Sequence, residues 1–230
     1  MTIAVVVFPG TNCEHDARYA LALLGSHAEL VWHRDDDLSG ATGVVLPGGF
    51  AHGDYLRTGA IARFSPVMAE VERLARQGTP TLGICNGFQI LCEAGLLPGA
   101  LVANRDLRFI CRTVTVRVES TDSILTSHTS VGDLLQIPLN SYEGNYVLPA
   151  AIDGAPSPNV VLRYCDSSGA SGKQMNPNGS TDSIAAVADA NGTIVGVMPH
   201  PERAVEDILG STDGRVLLES FVSATASVVA

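Results

Sequence analysis

The first half of the chain alternates short, mostly apolar runs with stretches in which apolar residues recur every three or four positions. The runs "IAVVVF", "AELVWH", "TGVVLPGG" and "TPTLGIC" are interleaved with "CEHDARYALALLG", "SPVMAEVERLARQG" and "NGFQILCEAG". Apolar runs of this kind suit strands buried on both faces, and the longer period suits amphipathic helices, so the pattern predicts βαβ units around a parallel sheet. The punctuation agrees. Thr11 and Asn12 stand where a first helix needs an N-cap, and Gly25 and Gly78 stand where a C′ residue must tolerate positive φ.

The second half changes character. "RTVTVRVES", "DLLQIPL", "NYVLP", "NVVLRYC" and "SIAAVAD" are strand-like segments separated by turn residues, which predicts further strands with few helices between them. In "ANGTIVGVMPHPE" the Asn191-Gly192 pair suits a tight hairpin turn into a last strand that delivers His200. Residues 167–182, "SSGASGKQMNPNGSTD", are polar and turn-rich enough for a long loop. There are no repeats and no boundary-like linker, so one α/β domain over residues 1–230 is expected.

Composition narrows the partners. At 230 residues and 46% hydrophobic the chain can bury a sizeable core, and its formal net charge of -10 argues against nucleic acid and anionic membrane surfaces. "TIAVVVF" lacks a basic flank before it and runs into "PGTNCEHD", which fits neither a signal peptide nor a membrane span. The five cysteines, Cys13, Cys85, Cys92, Cys111 and Cys165, are odd in number and lack paired spacing. That disfavours a disulfide framework or a metal site and points to a reducing cytoplasm.

Candidate chemistry centres on "GICNG". A nucleophile at a sharp strand-to-helix turn needs small residues two before and two after it, and Gly83 and Gly87 meet that demand around Cys85. A helix starting at Asn86 would aim its N-terminal N–H groups at the sulfur and at a developing oxyanion. A free cysteine is also commonly a small buried hydrophobe, and the pattern by itself leaves both readings open. A thiol performing acyl transfer further needs a base and a group to orient it, and in "MPHPE" an extended backbone would project His200 and Glu202 to the same side. In "LPGGF", Gly49 could approach closely enough to supply a second oxyanion N–H, although for an isolated Pro-Gly-Gly an ordinary turn after a strand is the better reading. In a parallel sheet all three segments fall beyond strand carboxyl ends, where ligands bind. His15, His27, His33, His52 and His128 lack ligand spacing and are expected on the surface or in loops; "HRDDD" reads as a solvated strand end, and Cys92 as packing.

Taken together, "GICNGFQ" and the later "HPE" resemble the Cys, His and Glu triad of class I glutamine amidotransferases. "FPGTNCEHD", "PGGFAHGDYLR", "GICNGFQIL", "EGNY", "RYCD", "NPNGS" and "MPHPERA" extend the resemblance, over nearly the whole chain, to the glutaminase subunits of phosphoribosylformylglycinamidine synthase. The resemblance implies a flavodoxin-like fold with a mostly parallel central sheet flanked by helices and additional antiparallel strands from the second half. It implies Cys85 as nucleophile, His200 as base and acid, Glu202 as its orienting group, Gly49 and Asn86 as backbone oxyanion donors, and Gln89 as a contact for substrate L-glutamine. It also implies a synthetase subunit and a small third subunit as partners, with ATP and Mg on the synthetase; this chain has no GxxxxGK[ST].

Two stretches depart from the family pattern: Ala51-His52 where relatives commonly read Ser-Tyr, and "NSYEGNY" where they often read "AHGEGNY". Two other readings compete. A cysteine-elbow hydrolase or deglycase would carry its acid partner early in the chain and lack the late "HPE". A non-catalytic interaction module would usually have lost a triad member.

Overall fold

The computed structural model describes residues 2–148 and 158–227. Strand β1 (Thr2–Val7) leads through helix α1 (Glu14–Leu23) to β2 (His27–Trp32) and β3 (Ala41–Leu46). Helix α2 (Pro66–Arg76) and β4 (Thr81–Ile84) follow, and helix α3 (Asn86–Glu93) begins one residue later. The second half supplies β5 (Ala100–Val102), β6 (Ile110–Val118), β7 (Leu134–Ser141), β8 (Asn145–Val147), β9 (Asn159–Cys165), β10 (Ile184–Ala188), β11 (Ile194–Val197) and helix α4 (Gly214–Ser227). Nine strands form one sheet in the order β2-β1-β3-β4-β11-β10-β9-β6-β7, while β5 and β8 form a separate ribbon. Strands β2, β1, β3, β4 and β11 are parallel, and β10, β9, β6 and β7 continue the sheet antiparallel. The expected fold class is therefore the one observed. Of "NYVLP", Asn145–Val147 forms β8, while Pro149 lies outside the described residues.

The apolar runs are strands because helices cover both faces of the sheet, so alternation would expose nothing to water. Gly43 of β3 meets Thr225 and Phe221 of α4, whereas Leu46, three residues on and so on the opposite face, meets Gly87 of α3. Ile3, Val5, Val6, Val44, Leu46, Leu82, Val195 and Val197 are sealed from solvent. Each such side chain contributes about 1.5–3 kcal/mol by burial. Helix α4 is an element that the alternation of the first half gives no reason to expect.

Local punctuation differs from expectation in two places. Helix α1 has Cys13 at its N-cap with no side-chain cap. Thr11 Oγ1 instead accepts the Phe8 N–H at 2.9 Å, because residues 10–12 are drawn into a bridge with Gly49. The β10–β11 hairpin is also wider than a two-residue Asn-Gly turn. The Asp189 carboxylate accepts N–H groups from Asn191, Thr193 and Ile194, and Gly192 takes the positive φ of 72°. Gly25 and Gly78 do follow their helices with φ of 77° and 89°.

The sheet curls enough for its far edge to return to the middle. The Pro138 carbonyl of β7 accepts the His200 backbone N–H at 2.8 Å, although three strands separate β7 from β11 in the sheet. This brings the end of β7 over the carboxyl ends of the parallel strands, where the residues singled out above gather.

Candidate active site

Cys85 alone connects β4 to α3, with φ 51° and ψ -105°. A side-chain-bearing residue held at positive φ stores roughly 1–3 kcal/mol of strain, which the surroundings must over-determine. They do so through the two glycines. A Cβ on Gly83 would lie 2.7 Å from the Gly87 carbonyl, and one on Gly87 would lie 1.8 Å from the Leu46 oxygen, so no larger residue lets strand and helix pass. The Cys85 N–H is tied to the Val197 oxygen at 2.8 Å, and its thiol faces the Asn140 carbonyl at 3.6 Å.

His200 follows β11 and is buried, with Nδ1 at 2.6 Å from Glu202 Oε1. The pairing expected from "HPE" is present, but by a different route. His200 caps a 3-10 turn, Pro201–Arg203, so the turn and not strand alternation brings the two side chains together. Burial opposes charge on the ring, yet the Glu202 carboxylate, the Cys85 sulfur and hydrogen bonds that the ring donates to the Cys13 and Cys85 sulfurs outweigh it and raise the His200 pKa well above the usual histidine range. Helix α4 buttresses the turn, with the Gly214 N–H donating to the Ala204 oxygen at 2.8 Å.

Gly49 lines the same cavity as Cys85, and Asn86 follows Cys85 in the chain. Gly49 has φ 149°, and a Cβ there would lie 2.8 Å from both the Gly10 oxygen and the Thr11 Cα, so its glycine is required by the approach of residues 10–12. Asn86 is the first residue of α3, where a backbone N–H has no intrahelical acceptor. Its side chain accepts the Ala51 N–H at 3.0 Å and donates to Gln89 Oε1 at 2.8 Å. Gln89 in turn donates to the Glu143 carbonyl at 2.6 Å. The Gln89 side chain therefore forms part of the wall and braces the loop after β7.

These groups enclose a cavity of about 310 Å³, at the lower end of the range for small-molecule sites. Sequence reasoning gave no role to several of its lining residues: Asp54, Asn140, Glu143 and Arg203 lie inside stretches singled out above, but only the fold brings their separate loops together. Burial, helped by the nearby Glu143 charge, pushes the Asp54 carboxyl up to about 6 against a hydrogen bond from Asn86. The departures from the family pattern both border this region, with Asn140 and Tyr142 in the cavity wall and Ala51 tied to Asn86. The "NPNGS" stretch is structural. Asn178 is fully buried and donates to the Gly144 oxygen at 2.7 Å and the Tyr164 hydroxyl at 3.2 Å, pinning the same loop from behind.

The remaining histidines fall mostly where expected, with one correction. His15, His27 and His128 are exposed, as are Asp35, Asp36 and Asp37. His33 is buried: its Nδ1 lies 3.0 Å from the Ser65 hydroxyl and its ring stands edge-on to His52 at 5.2 Å. The strand end is solvated only beyond it. Cys92 packs partly buried against the core, its thiol 3.7 Å from the Pro98 carbonyl. Among the described residues no helix is long and apolar enough to cross a membrane.

Comparisons with known proteins agree with this geometry. Residues 1–217 match the family described as CobB/CobQ-like glutamine amidotransferase domain. The phosphoribosylformylglycinamidine synthase subunit PurQ of Chlorobium chlorochromatii is 49% identical over 224 residues, covering 96% of each chain. The subunit of the same name from Koribacter versatilis is 47% identical over 229 residues, covering 98% of this chain and 99% of its own. A chain in the solved structure of PurLQS from Thermotoga maritima superposes with a TM-score of 0.87 at 40% identity, covering 96% of this chain and 97% of that one. An elbow cysteine facing a buried histidine–glutamate pair, on a chain matched end to end at this identity, places the protein in the glutamine amidotransferase family of the PurQ subunits.

Proposed function

We infer that this chain is the glutaminase subunit of phosphoribosylformylglycinamidine synthase, releasing ammonia from L-glutamine at Cys85. The observation that carries the reading is the junction itself: a strained Cys85 at a helix N-terminus, in one cavity with a buried His200 that Glu202 orients at 2.6 Å. The Cys85 thiolate attacks the γ-carboxamide carbon, and the oxyanion that forms is met by the N–H groups of Gly49 and Asn86. The C–N bond then breaks, His200 gives its proton to the departing ammonia, and a γ-glutamyl thioester remains. Water attacks the thioester, His200 takes the water's proton, and glutamate leaves as the thiolate is restored. A carboxamide is a poor electrophile, so two moderate barriers replace one high one. Asp54 and Glu143 give the cavity an acceptor for the α-ammonium group, and Gln89 holds the wall against which the substrate lies.

The ammonia passes to a synthetase subunit, assembled with a small third subunit, that uses ATP and Mg to convert formylglycinamide ribonucleotide to the amidine. The exposed Tyr55, Leu56 and Phe64 lie on the segment that follows the cavity-lining Phe50 and Asp54 and are the side chains best suited to meet that subunit. The complex would work in the cytoplasm. The test is glutamate release from glutamine by wild-type and Cys85→Ser chains, with and without the synthetase and its substrates. Release by wild type alone, increased by the partner, is expected. Release by neither chain in the full mixture would return Cys85 to a packing role.

A further inference from the structure

The turn-rich loop after β9 holds the only lysine of the chain, Lys173, and no step of the chemistry above uses it. Together with Arg105, Arg117 and Arg163, Lys173 lines a cavity of about 630 Å³, larger than the one beside Cys85. Four of the chain's 14 basic residues thus meet in one place on a protein of formal net charge -10, against a single lining carboxylate, Asp182. Glu119, outside the lining, is shared by two of them, 2.7 Å from Arg117 Nε and 3.4 Å from Arg163 Nε. Arg117 and Arg163 also each donate from Nη1 to a loop carbonyl, those of Gly169 and Asp182. A guanidinium has five N–H donors, so these bonds fix the two side chains while Nη2 of each makes no hydrogen bond among the described residues. The Lys173 ammonium likewise makes no ion pair or hydrogen bond among them.

The lining contains no aliphatic or aromatic side chain. Small-molecule sites are ordinarily walled by apolar groups, which give a base or an acyl chain something to pack on, so this cavity selects a ligand that is polar throughout. Arginine forks match phosphate geometry, and lysine adds a point charge. The Ser171 and Thr181 hydroxyls, which make no hydrogen bond among the described residues, suit the hydroxyls of a polyol. We propose that this cavity binds a small phosphorylated sugar, its phosphate held by Lys173 and the Nη2 groups of Arg117 and Arg163, its hydroxyls by Ser171 and Thr181. Arg105, which donates from Nη1 to the Lys173 carbonyl at 3.4 Å, keeps the lysine-bearing loop against the site. The two cavities share no lining residue, so occupation of this one does not depend on the glutaminase reading.

The experiment titrates the full chain with ribose 5-phosphate by isothermal calorimetry at fixed ionic strength, with ribose and inorganic phosphate in parallel. Ribose 5-phosphate is expected to bind with one-to-one stoichiometry, about tenfold or more tighter than inorganic phosphate, and ribose to give no heat. Lys173→Gln, at an exposed position, is expected to weaken binding about tenfold. A second measurement needs no variant. Lys173 carries the sole side-chain amine, so its acylation, located by peptide mass spectrometry, is expected to slow about tenfold under saturating ribose 5-phosphate and not under ribose. The proposal is overturned if ribose 5-phosphate binds no more tightly than inorganic phosphate, if Lys173→Gln binds it as tightly as wild type, or if acylation proceeds at the same rate in its presence. Shielding of Lys173 by the synthetase subunit, with none from ribose 5-phosphate, would also overturn it and make this face a protein contact. Cys85→Ser is expected to bind the sugar phosphate like wild type, so failure of the glutaminase reading and failure of this site are read separately.

Discussion

The Asn86 side-chain oxygen accepts the Ala51 backbone N–H at 3.0 Å, tying the first residue of α3 to the loop that carries Gly49. One buried amide thus sets the spacing of the two backbone donors assigned to the oxyanion. Asn86→Ala keeps the residue 86 N–H but leaves the Ala51 N–H and Gln89 Oε1 without their partner. An orphaned buried group of this kind costs about 1–3 kcal/mol. The expected result is a lowered denaturation midpoint together with a kcat reduced about tenfold to a hundredfold, with KM changed less, read from glutamate release in the assembled complex. An unchanged kcat would separate this amide from the oxyanion geometry.

Gly87 is the tightest point of the elbow, because a Cβ there would stand 1.8 Å from the Leu46 carbonyl oxygen. The atom met is backbone in a central strand, which has nowhere to move. Gly87→Ala is therefore expected to destabilise the fold by about 3 kcal/mol or more, above the usual range for overpacking, and to displace Cys85. Urea unfolding followed by far-ultraviolet circular dichroism measures it.

Glu202→Gln keeps a group able to hydrogen-bond His200 Nδ1 but removes the charge. The carboxylate is the first force raising the His200 proton affinity against burial, so without it burial governs and the affinity falls. The acid needed to protonate leaving ammonia is then lost at lower pH. The expected pH–rate profile has its alkaline limb shifted to lower pH and a kcat reduced about a hundredfold or more. A profile of unchanged shape would argue that Glu202 only fills space.

Asp54 trades stability for charge in the cavity. Its carboxyl is pushed up from 3.8 to about 6 in the folded chain, by burial first and the Glu143 charge second. A raised carboxyl binds its proton more tightly when folded, so its contribution to stability is present below pH 3.8 and is lost as pH climbs through about 6. Asp54→Asn is expected to raise Tm at pH 7 relative to wild type, to shrink that gain below pH 5, and to increase KM for glutamine about tenfold. A gain in Tm with unchanged KM would remove Asp54 from the substrate contact.

Leu56 is 85% exposed beside an exposed Tyr55, on the segment that follows the cavity-lining Asp54. Leu56→Asp is expected to leave the chain folded and to weaken its association with the synthetase about tenfold or more. Analytical ultracentrifugation of the mixed subunits measures it, and unchanged association would move the docking surface elsewhere.

Period and punctuation were enough to place βαβ units in the first half and antiparallel strands in the second, and to mark Cys85 between Gly83 and Gly87 as a candidate elbow without deciding it against packing. These features are local: an apolar run buried on both faces, or a glycine two residues from a turn, is written in consecutive residues. Glu202 beside His200 was legible for the same reason, although the 3-10 turn that pairs them was not.

What only the tertiary structure decided is which distant segments share a space. The sheet curls so that Pro138 of its far edge meets the His200 N–H, and that curvature is what brings Asn140 and Glu143 to Cys85. Thr11 abandons its capping role because Gly49 approaches it, and His33 leaves the solvent because Ser65 and His52 close over it. Cys13, Cys85 and His200 follow three different strands, so no spacing along the chain could have joined them. Strand order and twist arise from packing many residues at once, and contacts of that kind have no period to read.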